Sequence, residues 1–115
     1  MKVGAIQNYL NLQVAAGARG LERDVTTGYC GDLLSDVMAH GKKGGVWLTI
    51  QSHQNIVAVA ALRELAAIVL VNGRAPDEET KAKAEAEGIP ILLSPLSSYA
   101  LAGKLYGLGI GRIEE

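Results

Sequence analysis

The chain has 115 residues, 49% hydrophobic and 20% charged, a balance that fits one folded domain with a real core and excludes a disordered segment. Its formal charge is -1, and no basic stretch exists beyond Lys42-Lys43, so nucleic acid is not an expected partner. No apolar run reaches the roughly 18 residues of a membrane span, Met1-Lys2-Val3-Gly4 opens no secretory segment, and a single cysteine, Cys30, excludes an internal disulfide, so a cytoplasmic protein with no membrane partner is expected.

Val3, Ile6 and Leu10 recur at helical spacing and predict a helix from Lys2 to about Leu10. Leu12–Ala16 is an extended run, and Gly17-Ala18-Arg19-Gly20 is a turn. Leu21–Asp24 continues extended into a strand over Val25–Cys30, with Val25, Thr27 and Tyr29 on one face. Asp32 stands where an N-cap belongs and Gly41 where a C′ glycine belongs. The helix between them shows Leu33, Leu34, Val37 and Met38 as its buried stripe, with Ser35, Asp36 and His40 opposite. Gly41-Lys42-Lys43-Gly44-Gly45 then turns into a strand over Val46–Ile50.

From there the pattern alternates. Asn55–Ala66 reads as a helix, Ala67–Val71 as a strand and Pro76–Glu87 as a polar helix with an i,i+4 pair, Glu79/Lys83. Gly88-Ile89-Pro90 stops that helix, Ile91–Leu93 is the next strand, and Ser97–Leu108 is the last helix. Parallel strands joined by helices cross over right-handed. The expected fold class is therefore α/β: a small three-layer sandwich with a mostly parallel sheet. One domain over residues 1–115 divides into an N-terminal helix, edge strands and short helix (1–45, placed on one edge) and a βαβαβα core (46–110).

Three turns fall at the C-terminal ends of the predicted parallel strands: Gln51-Ser52-His53-Gln54-Asn55, Asn72-Gly73-Arg74 and Ser94-Pro95-Leu96-Ser97-Ser98. Ligands of open α/β sheets bind beyond these ends. Helix N-termini offer free N–H groups there, Arg74 suits a carboxylate or phosphate, and His53, Asn55 and Gln51 suit orientation of a ligand. Candidate ligand residues are Gln51, His53, Asn55, Asn72, Gly73, Arg74, Ser97 and Ser98. The plainer alternative is that Ser52 or Asn55, and Ser94 or Ser97, only cap helices.

Catalytic chemistry is not legible. Cys30, His40 and His53 lack metal-ligand spacing. Cys30 has no placed base, and Asp32, the half of the Asp32/Asp36 pair that capping explains, leaves little for Mg²⁺. Gly41–Gly45 is not a phosphate loop, since no hydroxyl follows its lysines and a strand follows it. No catalytic residue, metal or cofactor is expected. Ile56–Leu62 carries no polar residue for two turns, so both its sides should be covered. A second layer of the same chain or a second subunit would do this; in so short a chain the subunit is favoured, with Ile56, Val59 and Leu62 as interface residues and a homodimer as the expected assembly.

Gly28-Tyr29, Asp32–Met38, Val46–Ile50, Ile56–Leu62, Ala67–Glu79, Glu87–Ile91 and Ser97–Leu105 occur in an order and spacing that resembles the DRTGG domain family, related to the N-terminal domain of HPr kinase/phosphorylase. The resemblance runs from Met1 to Ile110. The family's Asp-Arg falls at Ser52-His53, and its Thr-Gly-Gly at Asn72-Gly73-Arg74, which keeps one glycine. Gln51, His53 and Asn55 resemble a stand-alone subgroup with Gln-x-His-x-Asn at this turn. The resemblance implies a regulatory or assembly element, often found beside a kinase, a phosphotransacetylase or a CBS-containing pyrophosphatase. It therefore implies a partner enzyme or signalling protein, or a nucleotide ligand, and not a kinase activity.

Overall fold

The structure, a computed structural model, describes residues 1–112, so the last three residues of the predicted 1–115 domain lie outside the described residues. The chain forms α1 (Val3–Tyr9), β1 (Gln13–Ala16), β2 (Thr27–Cys30), α2 (Leu34–His40), β3 (Gly45–Thr49), α3 (Asn55–Leu62), β4 (Ala67–Leu70), α4 (Glu78–Glu87), β5 (Ile91–Leu93) and α5 (Ser98–Gly107). The sheet order is β1-β5-β4-β3-β2; β2 to β5 are parallel, and β1 pairs antiparallel with β5.

Alternate residues of the central strands feed two cores, as the period of two requires. Val46, Leu48, Val69 and Leu92 pack with Val3, Ile6, Leu101 and Leu105, beneath α1 and α5. Trp47, Ile68, Leu70 and Ile91 pack with Val37, Ile56, Val57, Ala60 and Ala84, beneath α2, α3 and α4. The result is the expected three-layer α/β sandwich. The N-terminal strands, however, do not share an edge: β1 closes one side of the sheet and β2 the other. Val25 precedes β2 and packs in the α1/α5 core, while Tyr29 packs on the opposite face, so the predicted shared face is not formed. Leu21–Asp24 does not continue as strand; only Asp24 bridges, to Lys2.

Helix ends explain most of the other differences. Asp32 is not the cap of α2, which starts after Leu33 without a side-chain cap, and Gly41 ends it in an extended, not left-handed, conformation. Of the predicted α2 stripe only Val37 is fully buried and Leu34 half-buried against the core, while Leu33 is 67% exposed and Met38 reaches solvent. The ion pair on α4 is Glu78–Lys81 at 3.0 Å, not Glu79/Lys83.

Helix α3 ends at Leu62 rather than Ala66 because Glu64 is left-handed (φ 55). Its amide bonds the Ala61 carbonyl, and that of Leu65 bonds the Ala60 carbonyl, which together close a Schellman turn. The same pair of bonds closes α1 at Asn11, α4 at Gly88 and α5 at Gly109. Helix α3 is flanked by α2 and α4. Ile56 is fully buried and Val59 is 8% exposed within one chain, while Ala58, Ala61 and Leu62 reach solvent. The neighbouring helices thus cover much of what the sequence reading reserved for a second subunit.

Gly17 joins β1 to the rest of the sheet. It is left-handed (φ 73), a Cβ there would overlap the Ile89 carbonyl, and its amide donates to Glu85 Oε1 at 2.7 Å. Both the conformation and the space demand glycine. Gly17→Ala is expected to cost about 2–4 kcal/mol, read as a lower urea midpoint at unchanged slope; a midpoint equal to wild type would refute the close approach.

Candidate functional site

The three sequence-predicted turns lie together on the C-terminal rim, tied strand by strand. The Ser52 carbonyl accepts from the Asp77 amide (3.1 Å) and the Thr80 hydroxyl (2.6 Å), joining the first turn to the start of α4. Asn72 and Gly73 donate to the Leu96 and Ser94 carbonyls at 2.8 and 3.0 Å, joining the second turn to the third.

A fourth loop, after β2, completes the rim and was not among the candidates. Asp32 Oδ1 accepts from the Thr49 hydroxyl (2.8 Å) and the Ile50 amide (3.0 Å), and the Gln51 side chain donates back to the Asp32 carbonyl (2.9 Å). Trp47 Nε1 donates to the Gly31 carbonyl at 2.8 Å. These bonds fasten the β2 loop to the end of β3 and satisfy Thr49, which is fully buried. The signal available in sequence was Thr49 itself, a hydroxyl at the end of an apolar strand that needs a partner. Asp36 is separately engaged, by the Tyr29 hydroxyl and His40, so the two carboxylates serve different contacts.

Few of the candidate groups remain unspent. Arg74 donates its amide to the Val71 carbonyl at 3.1 Å, so at the second turn all three amides of Asn72-Gly73-Arg74 are used internally. His53 Nδ1 accepts from the Asn55 amide at 3.1 Å, and His53, rather than Ser52 or Asn55, satisfies the start of α3. Asp77, Glu78 and Glu79 make the start of α4 acidic, which opposes an anion there. Ser97 caps α5, accepting from the Ala100 amide at 3.2 Å, and Ser94 Oγ accepts from the Leu96 amide. Ser98 is half-buried beside the cap. The exposed Arg74 guanidinium has no hydrogen-bond or ion-pair partner among the described residues, and Asn72 (φ 59) and Gly73 (φ 69) are exposed beside it.

Two grooves lie away from this rim. A groove of about 670 Å³ opens at the opposite, N-terminal ends of the strands, and a smaller one of about 150 Å³ runs between β2 and α5. Neither includes a candidate ligand residue. Cys30 reaches solvent but sits in the smaller groove with Leu48, Ala102 and Leu105. Partial desolvation there, and secondly the charge of Asp32, push its thiol above the usual range. It is therefore protonated at neutral pH and poorly nucleophilic. No group of three or more His, Cys, Asp or Glu side chains among the described residues could hold a metal. No helix among them is long and apolar enough to cross a membrane.

Against known proteins, the fold has a clear likeness. The structure of the CBS and DRTGG domains from the regulatory region of Clostridium perfringens pyrophosphatase, complexed with its activator diadenosine tetraphosphate, matches with a TM-score of 0.71 at 12% identity. The match covers 89% of this chain and 44% of that one, so the chain spans less than half of the structure it matches. The likeness shows a fold shared with a regulatory region. No family model matches the chain, and no curated protein does.

Two substitutions separate the clamp from the charge at Asp32. Asp32→Ala strands a buried hydroxyl and is expected to cost about 1–3 kcal/mol in chemical denaturation; a loss under roughly 0.5 kcal/mol would mean that the clamp carries no weight. Asp32→Asn keeps an acceptor for Thr49 but removes the charge that disfavours the Cys30 thiolate. Its Cys30 pKa should fall, so iodoacetamide alkylates Cys30 faster than in wild type at the same mildly alkaline pH, and an unchanged rate–pH profile would contradict the electrostatic contribution.

Proposed function

We propose that this chain is a non-catalytic regulatory and interaction module that acts as a homodimer and engages a partner enzyme or signalling protein. The observation that carries the reading is the way the rim spends its polar groups. Asp32, Thr49 and Ser52 hold loops to one another, His53, Ser94 and Ser97 close their own turns, and Asn72, Gly73 and Arg74 are exposed on the platform these bonds make. A catalytic site needs a nucleophile, a base and stabilising donors aimed at one point. Here the thiol is held protonated, and the His53 nitrogen nearest the helix is occupied. A firmly tied surface from which the Arg74 cation projects suits a protein partner. The likeness to a regulatory region supports this reading at the level of fold.

The second reading is a small-ligand sensor for a nucleotide or phosphorylated metabolite at the same rim. The Arg74 guanidinium, without a partner among the described residues, favours it, as does the nucleotide in the similar structure. Arg74 would hold the phosphate, with Gln51, His53, Asn55, Asn72, Gly73, Ser97 and Ser98 around it.

Sedimentation equilibrium over micromolar to millimolar protein tests the dimer, and a monomer throughout would remove it. Thermal unfolding with diadenosine tetraphosphate, ATP and AMP at millimolar concentration distinguishes the two readings, because a ligand that binds the native state must raise its stability. No shift is expected for an interaction module. A shift of several degrees that Arg74→Ala abolishes would replace the leading reading by the sensor.

A further inference from the structure

We propose that the turn after α5, Gly109–Arg112, is an autoinhibitory guard on the open edge of the sheet: it lies against β2 and keeps that strand from pairing with the β2 of a second copy. Among the described residues β2 is an outermost strand and pairs only with β3. In a parallel ladder each residue turns its N–H and C=O to one side, and successive residues alternate. The Val71 amide bonds the Thr49 carbonyl, so odd-numbered residues of β3 face β4; the Gly31 amide bonds the Leu48 carbonyl, so even-numbered ones face β2. Within β2, Thr27 and Tyr29 therefore bond β3, and the backbone groups of Gly28 and Cys30 point away from the sheet. Such an outward row is a template for another strand. Two antiparallel β2 strands related by a two-fold axis at Tyr29 set Gly28 of each copy against Cys30 of the other, so the row is complementary to itself.

The turn covers one end of that row. Gly109 is left-handed (φ 95) and reverses the chain, and Ile110, 8% exposed, seats its side chain in the α1/α5 core. Gly111 is left-handed again (φ 69) and rests on β2: a Cβ there would lie 3.1 Å from Thr27 Oγ1 and 3.4 Å from the Gly28 nitrogen. Its backbone thus stands beside the first outward amide. Arg112 ties the turn back to α5. Its Nη2 donates to the Tyr106 and Gly107 carbonyls at 3.2 Å, and its guanidinium lies over the Tyr106 ring, 5.8 Å from the centre.

The opposite edge supplies an independent reason, because it is closed too. Leu12, beside the start of β1, donates its amide to the Gln7 carbonyl at 2.9 Å and accepts from Gln7 Nε2 at 2.8 Å. Gly17, just past β1, donates to Glu85 Oε1 at 2.7 Å, and the ladder is irregular between Val14 and Ala16. Both outer strands are thus blunted at their ends, as sheets that must not pair edge to edge require. The β1 edge is closed by hydrogen bonds from α1 and α4, whereas at β2 the turn stands against the strand and is tied to α5.

The test is sedimentation velocity on the full chain as wild type, Gly111→Val, Arg112→Ala, and Gly111→Val combined with Cys30→Pro. A valine resists a positive φ and its Cβ presses on Thr27, so Gly111→Val lifts the turn from β2. Proline at Cys30 removes an outward amide that β3 does not use and blocks the edge. Gly111→Val is expected to self-associate at least roughly tenfold more tightly than wild type, Arg112→Ala to do so to a smaller degree, and the double variant to return to wild-type behaviour. If the wild type is a dimer through another surface, the added contact appears as species larger than that dimer, so the outcome does not depend on the homodimer reading. Hydrogen exchange at the Tyr29 amide, which β3 protects, checks that the sheet is intact; where Gly111→Val loses that protection, Arg112→Ala decides. Folded variants that associate no more than wild type overturn the guard, and association that survives Cys30→Pro overturns β2 as the edge it protects.

Discussion

Val46 to Thr49 and Ala67 to Val71 are all buried, and this two-sided burial of the central strands governs the rest of the molecule. Parallel strands without a wet face must be covered by helices on both sides. The chain meets that demand with small elements: α1 and α5 on one face, α2, α3 and α4 on the other. Because every crossover helix returns the chain to the same end, the exits of the four parallel strands gather on one rim and their entries on the other. The two rims then differ in chemistry. Exits are rich in Ser, Thr, Asn, Asp and His, which close loops; entries carry Lys43, Glu64 and Arg23 around apolar residues.

The exit rim is a polar surface whose groups bond to one another. Buried polar groups must find partners, and here they find one another. Thr49 is the clearest case, since Asp32 reaches across from the neighbouring strand's loop to accept its hydroxyl proton. The same carboxylate takes the Ile50 amide, so one side chain stabilises the β3 exit twice. Those bonds fasten the β2 loop to the end of β3 at two points.

The alternating core was legible because its signals were local: apolar runs of strand length, Gly88 followed by Pro90, and the Ser97 cap. What failed required knowledge of neighbours. Asp32 has the composition of a cap, yet its carboxylate was worth more to the buried Thr49 than to α2. Glu64 offers no stop signal, since glutamate favours helices, and only the turn's closing bonds and the Gly44 amide on its carbonyl hold it left-handed. The edge positions of β1 and β2 depend on long-range pairing that no local period encodes. The rim itself was located by topology, but which of its polar groups stayed free was decided by hydrogen bonds between turns. Sequence spacing says nothing about those.

Helix α3 joins these points. Its uniform apolarity suggested a subunit interface along its length, yet Ile56 and Val57 are fully buried by the sheet and adjoining helices. Small residues at Ala58 and Ala61 let the outer side stay in water at little cost, because a methyl group exposes little apolar area. At the helix end Leu62 is 71% exposed, as Tyr9, Leu33 and Tyr99 are on other elements. One turn end therefore combines an uncovered leucine with a strained glutamate, and both choices run against the stability of a lone chain.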